Sequence, residues 1–267
     1  MSLFGFIGVG NMGSAILQAC YKTFGGDDIA YYDVSKKQCL DIREKLKIEP
    51  ENSTISVINK SKYIILAIKP QHLDSVLLEI KDAVTANHVF ISLAVGVSID
   101  SIKSILGDST KVVRTMPNTP ALISKGTTGV SFSDDDFNKD EKDIIDRFLL
   151  SFGEYEVFNE DLMNAVTCAS GSSPAYVYMF IEALADSVVS YGIPRDKAYS
   201  MVANTVLGSA AMVLETKEHP AILKDKVCSP GGTTIAAVKA LEENGFRNAI
   251  MKASDACFNK ANMISKD

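Results

Sequence analysis

The sequence has few of the features that mark a membrane, secreted or nucleic-acid-binding protein. No stretch approaches the roughly 18 consecutive apolar residues that a membrane-spanning helix needs. The apolar start of the chain lacks a basic segment and is interrupted by glycines, which favours a strand over a signal peptide. Asp and Glu (33) outnumber Lys and Arg (27), and there is no basic cluster. We therefore expect neither a membrane nor a nucleic acid among its partners.

Cysteine is sparse and scattered. The five cysteines are odd in number and form no Cys-x-x-Cys pair or Cys/His cluster, so the pattern supports neither a disulfide framework nor a zinc site. We expect reduced thiols, a cytoplasmic location and no bound metal. With 267 residues, of which 46% are hydrophobic, the chain is long enough for one large domain or two ordinary ones.

A glycine motif near the start of the chain predicts a dinucleotide-binding turn. An apolar run leads into Gly8-x-Gly10-x-x-Gly13, and a helical pattern follows; this order separates the motif from a chance match. Gly8 permits the tight turn, Gly10 lets the backbone approach a pyrophosphate, and Gly13 allows the helix to pack closely on the strand. Asn11 and Met12 lie between them, where helix N–H groups face an anion.

The end of the second predicted strand carries the residue expected to meet the adenosine ribose. Asp33 lies about 20 residues beyond the glycine motif, the usual position for that contact. A carboxylate there hydrogen-bonds a 2′-hydroxyl and repels a 2′-phosphate. Ser35, Lys36 and Lys37 follow at once and are able to hold that phosphate. Alternatively, Asp33 or Ser35 caps the helix that begins near Lys36, and both roles are compatible.

Further strand ends complete the predicted cofactor site. Buried apolar runs at 63–68, 89–93 and 111–116 alternate with helical patterns, which indicates parallel strands. Ligands of such sheets bind at the carboxyl ends of the strands. Cofactor contacts are predicted at Ala67, Ile68, Lys69, Pro70, Leu93, Ala94, Val95 and Asn118. Lys69 is equally consistent with an exposed turn lysine, and Asn118 with a turn residue in a loop stiffened by two prolines.

The pattern changes near residue 160. Two more strands are predicted at 127–132 and 154–158, and beyond them only long helical stretches occur, at 175–191, 194–216 and 246–263. We predict an α/β Rossmann-type domain with a mainly parallel sheet at 1–160 and an all-α domain at 161–267. Small residues at helical spacing in the second domain favour core packing or a subunit interface.

Two loops are predicted before helices of the second half. Residues 170–174 form the first, with Ser173 as the cap and Pro174 at the first helical position. In the second, Ser229 to Thr234, a Gly-Gly backbone and two hydroxyls precede a helix at 235–244. Such a segment makes a pocket for a small carboxylate, although a capped helix after a loose loop explains it equally well.

Together these motifs resemble the pyrroline-5-carboxylate reductases. The segments that carry the resemblance are FIGVGNMG at 6–13, AIKP at 67–70, MPNTP at 116–120, SGSSPAY at 170–176, EHP at 218–220 and VCSPGGTT at 227–234. The resemblance implies a Rossmann domain, a helical dimerisation domain, and homodimers with possible assembly into decamers. It also implies reduction of a cyclic imine carboxylate, 1-pyrroline-5-carboxylate, to L-proline, the last step of proline biosynthesis.

The resemblance also assigns cofactor and site residues. Family members use NADP(H), some NAD(H), and Asp33 departs from the small or phosphate-binding residue of NADPH-preferring members. The cofactor carries the hydride. Backbone N–H groups of Gly232, Thr233 and Thr234 would bind the substrate carboxylate, next to Ser229, and the Thr234 hydroxyl would hold the ring nitrogen as the catalytic group. Glu160 matches a family position near the substrate.

Other functions are less consistent with the sequence. A β-hydroxyacid or imine reductase on a similar plan needs a catalytic lysine on the first long helix of the second domain, and residues 175–191 contain none. A non-enzymatic dinucleotide sensor needs no carboxylate pocket, and turnover of the imine would exclude it. His219 is predicted to start a helix rather than to donate a proton.

Overall fold

The computed structural model describes residues 2–264. They divide into two compact units. The first comprises residues 2–172 together with 257–264, and the second comprises residues 173–256.

A seven-stranded sheet in the order β2-β1-β3-β4-β5-β6-β7 forms the centre of the first unit. Neighbouring strands from β2 through β5 pair in parallel. β6 runs antiparallel to β5 and parallel to β7. The strands are β1 Ser2–Ile7, β2 Ile29–Tyr32, β3 Ser61–Leu66, β4 Val89–Ser92, β5 Lys111–Met116, β6 Gly126–Phe132 and β7 Gly153–Val157. The chain order reverses between β1 and β3, the kind of crevice in which open α/β sheets bind ligands.

Helices and short 3₁₀ turns connect these strands. The helices are α1 Asn11–Phe24, α2 Lys36–Leu46, α3 Thr54–Lys60, α4 Pro70–Ile80, α5 Ile99–Leu106, α6 Lys139–Leu150 and α7 Met163–Val166. Side chains at the helix starts account for several boundaries: Ser35, Ser53 and Ser98 each accept a backbone N–H. α4 ends at Ile80, and a 3₁₀ turn at Lys81–Ala83 follows.

Both faces of the sheet are buried, which explains why its strands are apolar throughout. Phe4 and Phe6 of β1 point into one core, where Phe4 stacks on Phe148 of α6 with ring centroids 5.1 Å apart. Ile7 points into the other core with Leu66 of β3. A run without polar alternation is the sequence signature of this two-sided burial.

The second unit is helical. It contains α8 Ser173–Ser190, α9 Arg195–Thr216, α10 Pro220–Val227 and α11 Thr233–Glu243, and α12 Phe246–Ile264 begins in it. No strand occurs in the described residues after β7. The buried core of this unit is small and consists of Ala185, Ala198 and Val202. Large apolar side chains stay exposed, among them Met179, Leu207 and Met251.

Residues 170–174, predicted as a loop, are mostly helical. α7 continues as a wide helical turn, Thr167–Gly171, in which the N–H of Ser172 donates to the Thr167 carbonyl oxygen at 2.9 Å. α8 then begins at Ser173, so this residue is inside the helix rather than its cap. Gly171 leaves room for the Met116 side chain to approach the turn, since a Cβ there would lie 2.5 Å from its terminal carbon Cε. The glycine marked a close approach instead of a loop.

Candidate functional site

The glycine turn joins β1 to α1, and the structural reason for glycine differs among its three positions. Gly8 has φ +93°, and a Cβ there would lie 2.6 Å from the Ala67 carbonyl oxygen. A Cβ on Gly13 would lie 2.4 Å from the Gly8 carbonyl oxygen. Gly10 is different, because a Cβ there would meet only Oε1 of Gln38, at 3.8 Å. Packing within the chain thus requires Gly8 and Gly13, whereas Gly10 leaves open space at the start of α1.

A cavity of about 410 Å³ lies against this turn, at the carboxyl ends of β1, β3 and β4. Its lining residues are Gly10, Asn11, Met12, Gln38, Ala67, Ile68, Lys69, Pro70, Leu93 and Val95. All of these except Gln38 were predicted from the sequence as cofactor residues. Ala94, also predicted, is 3% exposed and does not line the cavity. The sequence carries no signal for Gln38, whose position depends on how α2 packs.

Asp33 fastens the glycine turn to the start of α2. One carboxylate oxygen accepts the N–H of Val9 and the other accepts the N–H of Ser35, each at 2.8 Å. Ser35 in turn caps α2 by accepting the N–H of Gln38 at 3.4 Å, as predicted, and Lys36 is exposed. Both carboxylate oxygens of Asp33 therefore have backbone donors, and its contact with a ribose stays a prediction.

Tyr31 fixes the position of α2 against β2. Its hydroxyl donates to the carbonyl oxygens of Cys39 at 3.1 Å and Ile48 at 3.0 Å. Burial, reinforced by the nearby Cys39 and Glu49, raises the pKa of Tyr31 to about 12. The phenol stays protonated as a donor at neutral pH and supports the strand end that carries Asp33. Sequence reasoning did not single out this residue.

Asn118 connects two segments of the first unit. Its amide nitrogen donates to the Ser170 carbonyl oxygen at 3.1 Å, and its amide oxygen accepts the N–H of Thr127 at 2.9 Å. The residue is 8% exposed and is not among those lining the 410 Å³ cavity. This accounts for its place between two prolines, and its predicted contact with the cofactor stays a prediction.

Glu160 lies in the 3₁₀ turn Glu160–Leu162, shortly after β7. Its Oε1 accepts the backbone N–H of Ile99 at 2.7 Å and a guanidinium N–H of Arg114 at 2.9 Å. The carboxylate therefore holds the start of α5 and pairs with a cation of β5 that is 8% exposed. Its predicted role near the substrate stays a prediction.

The predicted substrate segment forms the turn before α11. Gly231 has φ +69°, and the N–H of Gly232 donates to the Ser229 carbonyl oxygen at 3.1 Å. Gly232 is the N-cap residue, so Thr233 and Thr234 are the first two helical residues. The helix begins two residues earlier than predicted, and Thr234 is not its cap. With the Gly232 donor engaged, Thr233 and Thr234 offer the N–H groups that a helix start leaves without an intrahelical acceptor.

His219, by contrast, is a cap, as predicted. Its Nδ1 accepts the N–H of Ala221 at 3.2 Å, and Pro220 follows at the first position of α10. Among residues 2–264 there is no group of three or more His, Cys, Asp or Glu side chains able to hold a metal ion. Within the same range, none of the helices has the length and apolar character that crossing a bilayer requires.

The sheet, its glycine turn and the adjoining cavity define the class of a dinucleotide-binding α/β protein, and the family models specify an NADP oxidoreductase. Residues 3–96 match a family model described as coenzyme F420-dependent NADP oxidoreductase. Residues 160–264 match the pyrroline-5-carboxylate reductase dimerisation model. With the full-length relatives described next, these matches show that the chain belongs to the pyrroline-5-carboxylate reductase family.

Relatives match along nearly the whole chain. The pyrroline-5-carboxylate reductase of Escherichia coli strain K12 is 44% identical over 265 residues, 98% of each chain. That of Methanosarcina acetivorans is 40% identical over 251 residues, 93% of each. The structure of a pyrroline-5-carboxylate reductase from Coxiella burnetii is 33% identical in sequence, with a TM-score of 0.90. The match covers 100% of this chain and 99% of that one. The structure of the Plasmodium falciparum pyrroline carboxylate reductase with NADP bound is 30% identical in sequence, with a TM-score of 0.89. The match covers 99% of this chain and 98% of that one.

These findings confirm the family, the fold class and the function that the sequence predicted, an NAD(P)H-dependent pyrroline-5-carboxylate reductase. The dimerisation domain implies a homo-oligomer. This assembly gives a physical reason for the many exposed apolar side chains of the second unit, since patches of that kind mark interaction surfaces.

Proposed function

We propose that the reduction of 1-pyrroline-5-carboxylate to L-proline by this enzyme takes place with NADPH bound in the cavity at the carboxyl ends of β1, β3 and β4. The open side of Gly10 carries this proposal, because no packing partner explains the missing side chain. N–H groups at the start of α1 would bind the pyrophosphate. Residues 1–160 would form the cofactor domain, and 161–267 the dimerisation and substrate domain.

The start of α2 is the proposed site of the adenosine 2′-phosphate. Ser35 and the exposed Lys36 stand there beside Asp33, whose charge opposes a phosphate. Two backbone N–H groups already bind that carboxylate and offset part of its repulsion. We therefore propose NADPH as the cofactor, with NADH also accepted.

The substrate is proposed to bind at the start of α11. The N–H groups of Thr233 and Thr234 would bind its carboxylate, which the positive end of the helix dipole also favours. The Thr234 hydroxyl oxygen would accept the N–H of the protonated imine and orient its ring. When bound, the cofactor supplies the hydride, so the protein's own contribution is to position the imine and stabilise its charge.

A hydroxyl deletion tests the role of Thr234. Thr234→Val keeps the shape and both backbone groups, and loss of a hydrogen bond to a charged group costs about 1.5–3 kcal/mol. We expect kcat/KM for the imine to fall by roughly tenfold to a hundredfold, with the Kd for NADPH unchanged. Thr23→Val is the control: it removes a hydroxyl of α1 that donates to the Ala19 carbonyl oxygen at 3.2 Å. A Thr234→Val enzyme with kcat/KM within twofold of the wild type would refute the assignment.

The oligomeric state and the cellular location of the protein are also part of the proposal. A homodimer formed through the helical domain is proposed as the basic unit, and further association into a decamer remains an expectation from the family resemblance. All five cysteines are free thiols, which supports a cytoplasmic location.

A further inference from the structure

The loop after β4, residues 93–98, forms part of the wall of the 410 Å³ cavity. Leu93 and Val95 line it. The loop is fastened at its start, where the N–H of Leu93 donates to a carbonyl oxygen of β3 at 3.0 Å. It is fastened again just beyond its end, where Ile99 donates to Glu160. Within the loop, the N–H of Ala94 donates to Oγ of Ser92 at 3.3 Å, and Ala94 and Val97 pack on the core. Neither these contacts nor the two anchors act directly on Gly96, between Val95 and Val97.

The last turn of α12 supports the loop at Gly96. A Cβ placed on Gly96 would lie 2.7 Å from Cγ2 of Ile264, so the glycine backbone packs directly on this side chain. The turn itself is well anchored within the first unit. Asn262 accepts an amide N–H of Asn164 at 2.9 Å, and Ala261 is 4% exposed. Ile264 therefore presents its methyl group to the loop from a fixed position.

We propose that Ile264 is a positioning residue for the cofactor: through Gly96 it holds Val95 in the cavity wall. The proposal rests on the proposed cofactor site. Gly96 has φ +78°, a conformation that glycine adopts freely but does not enforce. Without the supporting methyl group, the backbone at Val95 and Gly96 gains conformational freedom, and binding of NADPH must then restrict it.

The test compares three variants in the full-length enzyme. Ile264→Ala removes Cγ2, whereas Ile264→Val retains a γ-methyl group and serves as the conservative rescue. Met263→Ala, at the neighbouring exposed position, is the matched control. The measurements are the Kd for NADPH from its fluorescence, KM for NADPH and for the imine, kcat, and the melting temperature. Gly10→Ala, which acts on the cavity directly, is measured alongside.

Ile264→Ala should raise the Kd and KM for NADPH about tenfold, which corresponds to about 1.4 kcal/mol. KM for the imine should be unchanged. Because Ile264 is 39% exposed, the melting temperature should move by only about 2 °C. Ile264→Val and Met263→Ala should match the wild type.

Three outcomes would overturn the inference. The first is an unchanged Kd in Ile264→Ala while Gly10→Ala weakens NADPH binding, which leaves the cofactor site intact. The second is an equal loss in Met263→Ala or no rescue by Ile264→Val, which indicates a merely structural role. The third is unchanged NADPH binding in both Ile264→Ala and Gly10→Ala, which refutes the cofactor site together with the inference.

Discussion

The same substitution at two positions of one turn should separate folding from cofactor binding. In Gly13→Ala, the new methyl carbon would lie 2.4 Å from the Gly8 carbonyl oxygen, about 1 Å inside ordinary contact distance, and 2.9 Å from Cβ of Ala67. Relief requires movement of backbone rather than of a flexible side chain. Overpacking costs about 1–3 kcal/mol, and this site should lie at the upper end of that range.

Gly10→Ala should have the opposite effects: it should weaken NADPH binding rather than the stability of the fold. Its φ of −64° and ψ of −164° suit any residue, and the nearest atom to a Cβ is 3.8 Å away. Reduced entropy of the unfolded chain favours the variant by about 0.4–1 kcal/mol, and this offsets the roughly 1 kcal/mol that alanine costs at an N-cap position. The methyl group would, however, point to where a pyrophosphate approaches, and a steric cost of about 1–3 kcal/mol weakens NADPH binding by roughly tenfold to a hundredfold.

Thermal melting and NADPH fluorescence titration measure the two effects separately. For a chain of this size about 1 kcal/mol shifts the melting temperature by roughly 2–4 °C. Gly13→Ala should therefore melt about 6–12 °C lower than the wild type, and Gly10→Ala within about 2 °C of it. The reasoning fails if Gly10→Ala melts as low as Gly13→Ala, or if it binds NADPH as tightly as the wild type.

Two further predictions concern charged side chains. Asp33→Ser should raise the ratio of kcat/KM with NADPH to kcat/KM with NADH, since it removes a negative charge near the proposed phosphate site. It should also lower the melting temperature, because the N–H groups of Val9 and Ser35 lose their acceptor. An unchanged ratio would mean that the carboxylate does not face the cofactor. Although burial raises the pKa of Glu141, hydrogen bonds from Lys111 and Lys62 outweigh it and hold that pKa below its ordinary value. This stabilisation is present above the pKa of an unfolded glutamate and is lost as the pH falls through the lower folded pKa. The free energy of unfolding in urea should therefore decline below about pH 4.5, and should decline less steeply in Glu141→Gln. Equal pH dependences of the two proteins would contradict this.

The lining of the 410 Å³ cavity, the proposed cofactor site, was largely predictable because its residues follow buried strands. Parallel strands of a covered sheet are apolar throughout, so their carboxyl ends at Ala67 and Leu93 stand out in the sequence. Their common edge then brings these ends together. Gln38 was missed because its side chain reaches the cavity only through the packing of α2, a tertiary relation that no local pattern encodes.

Other residues were predicted in the correct part of the structure, but not all of their contacts were predicted. Spacing located Asp33 at the end of β2, but not the hydrogen bond that it accepts from Val9 across the turn. Gly171 was interpreted as part of a loop because a glycine that permits close packing has the same local signature as one in a turn. The two-residue shift at the start of α11 is of the size expected for helix ends.

The first unit is assembled from two separated stretches of chain, and this has a consequence for its biosynthesis. Residues 2–172 contain the whole sheet, yet the support for the loop after β4 comes from residues 257–264. During translation the intervening helices must all emerge before Ile264 reaches Gly96. Because domains begin to fold from the N-terminal end as they are made, the nascent sheet can form while part of its cavity wall is still unsupported. Completion of that wall therefore has to wait until the helices from α8 to α12 have been made.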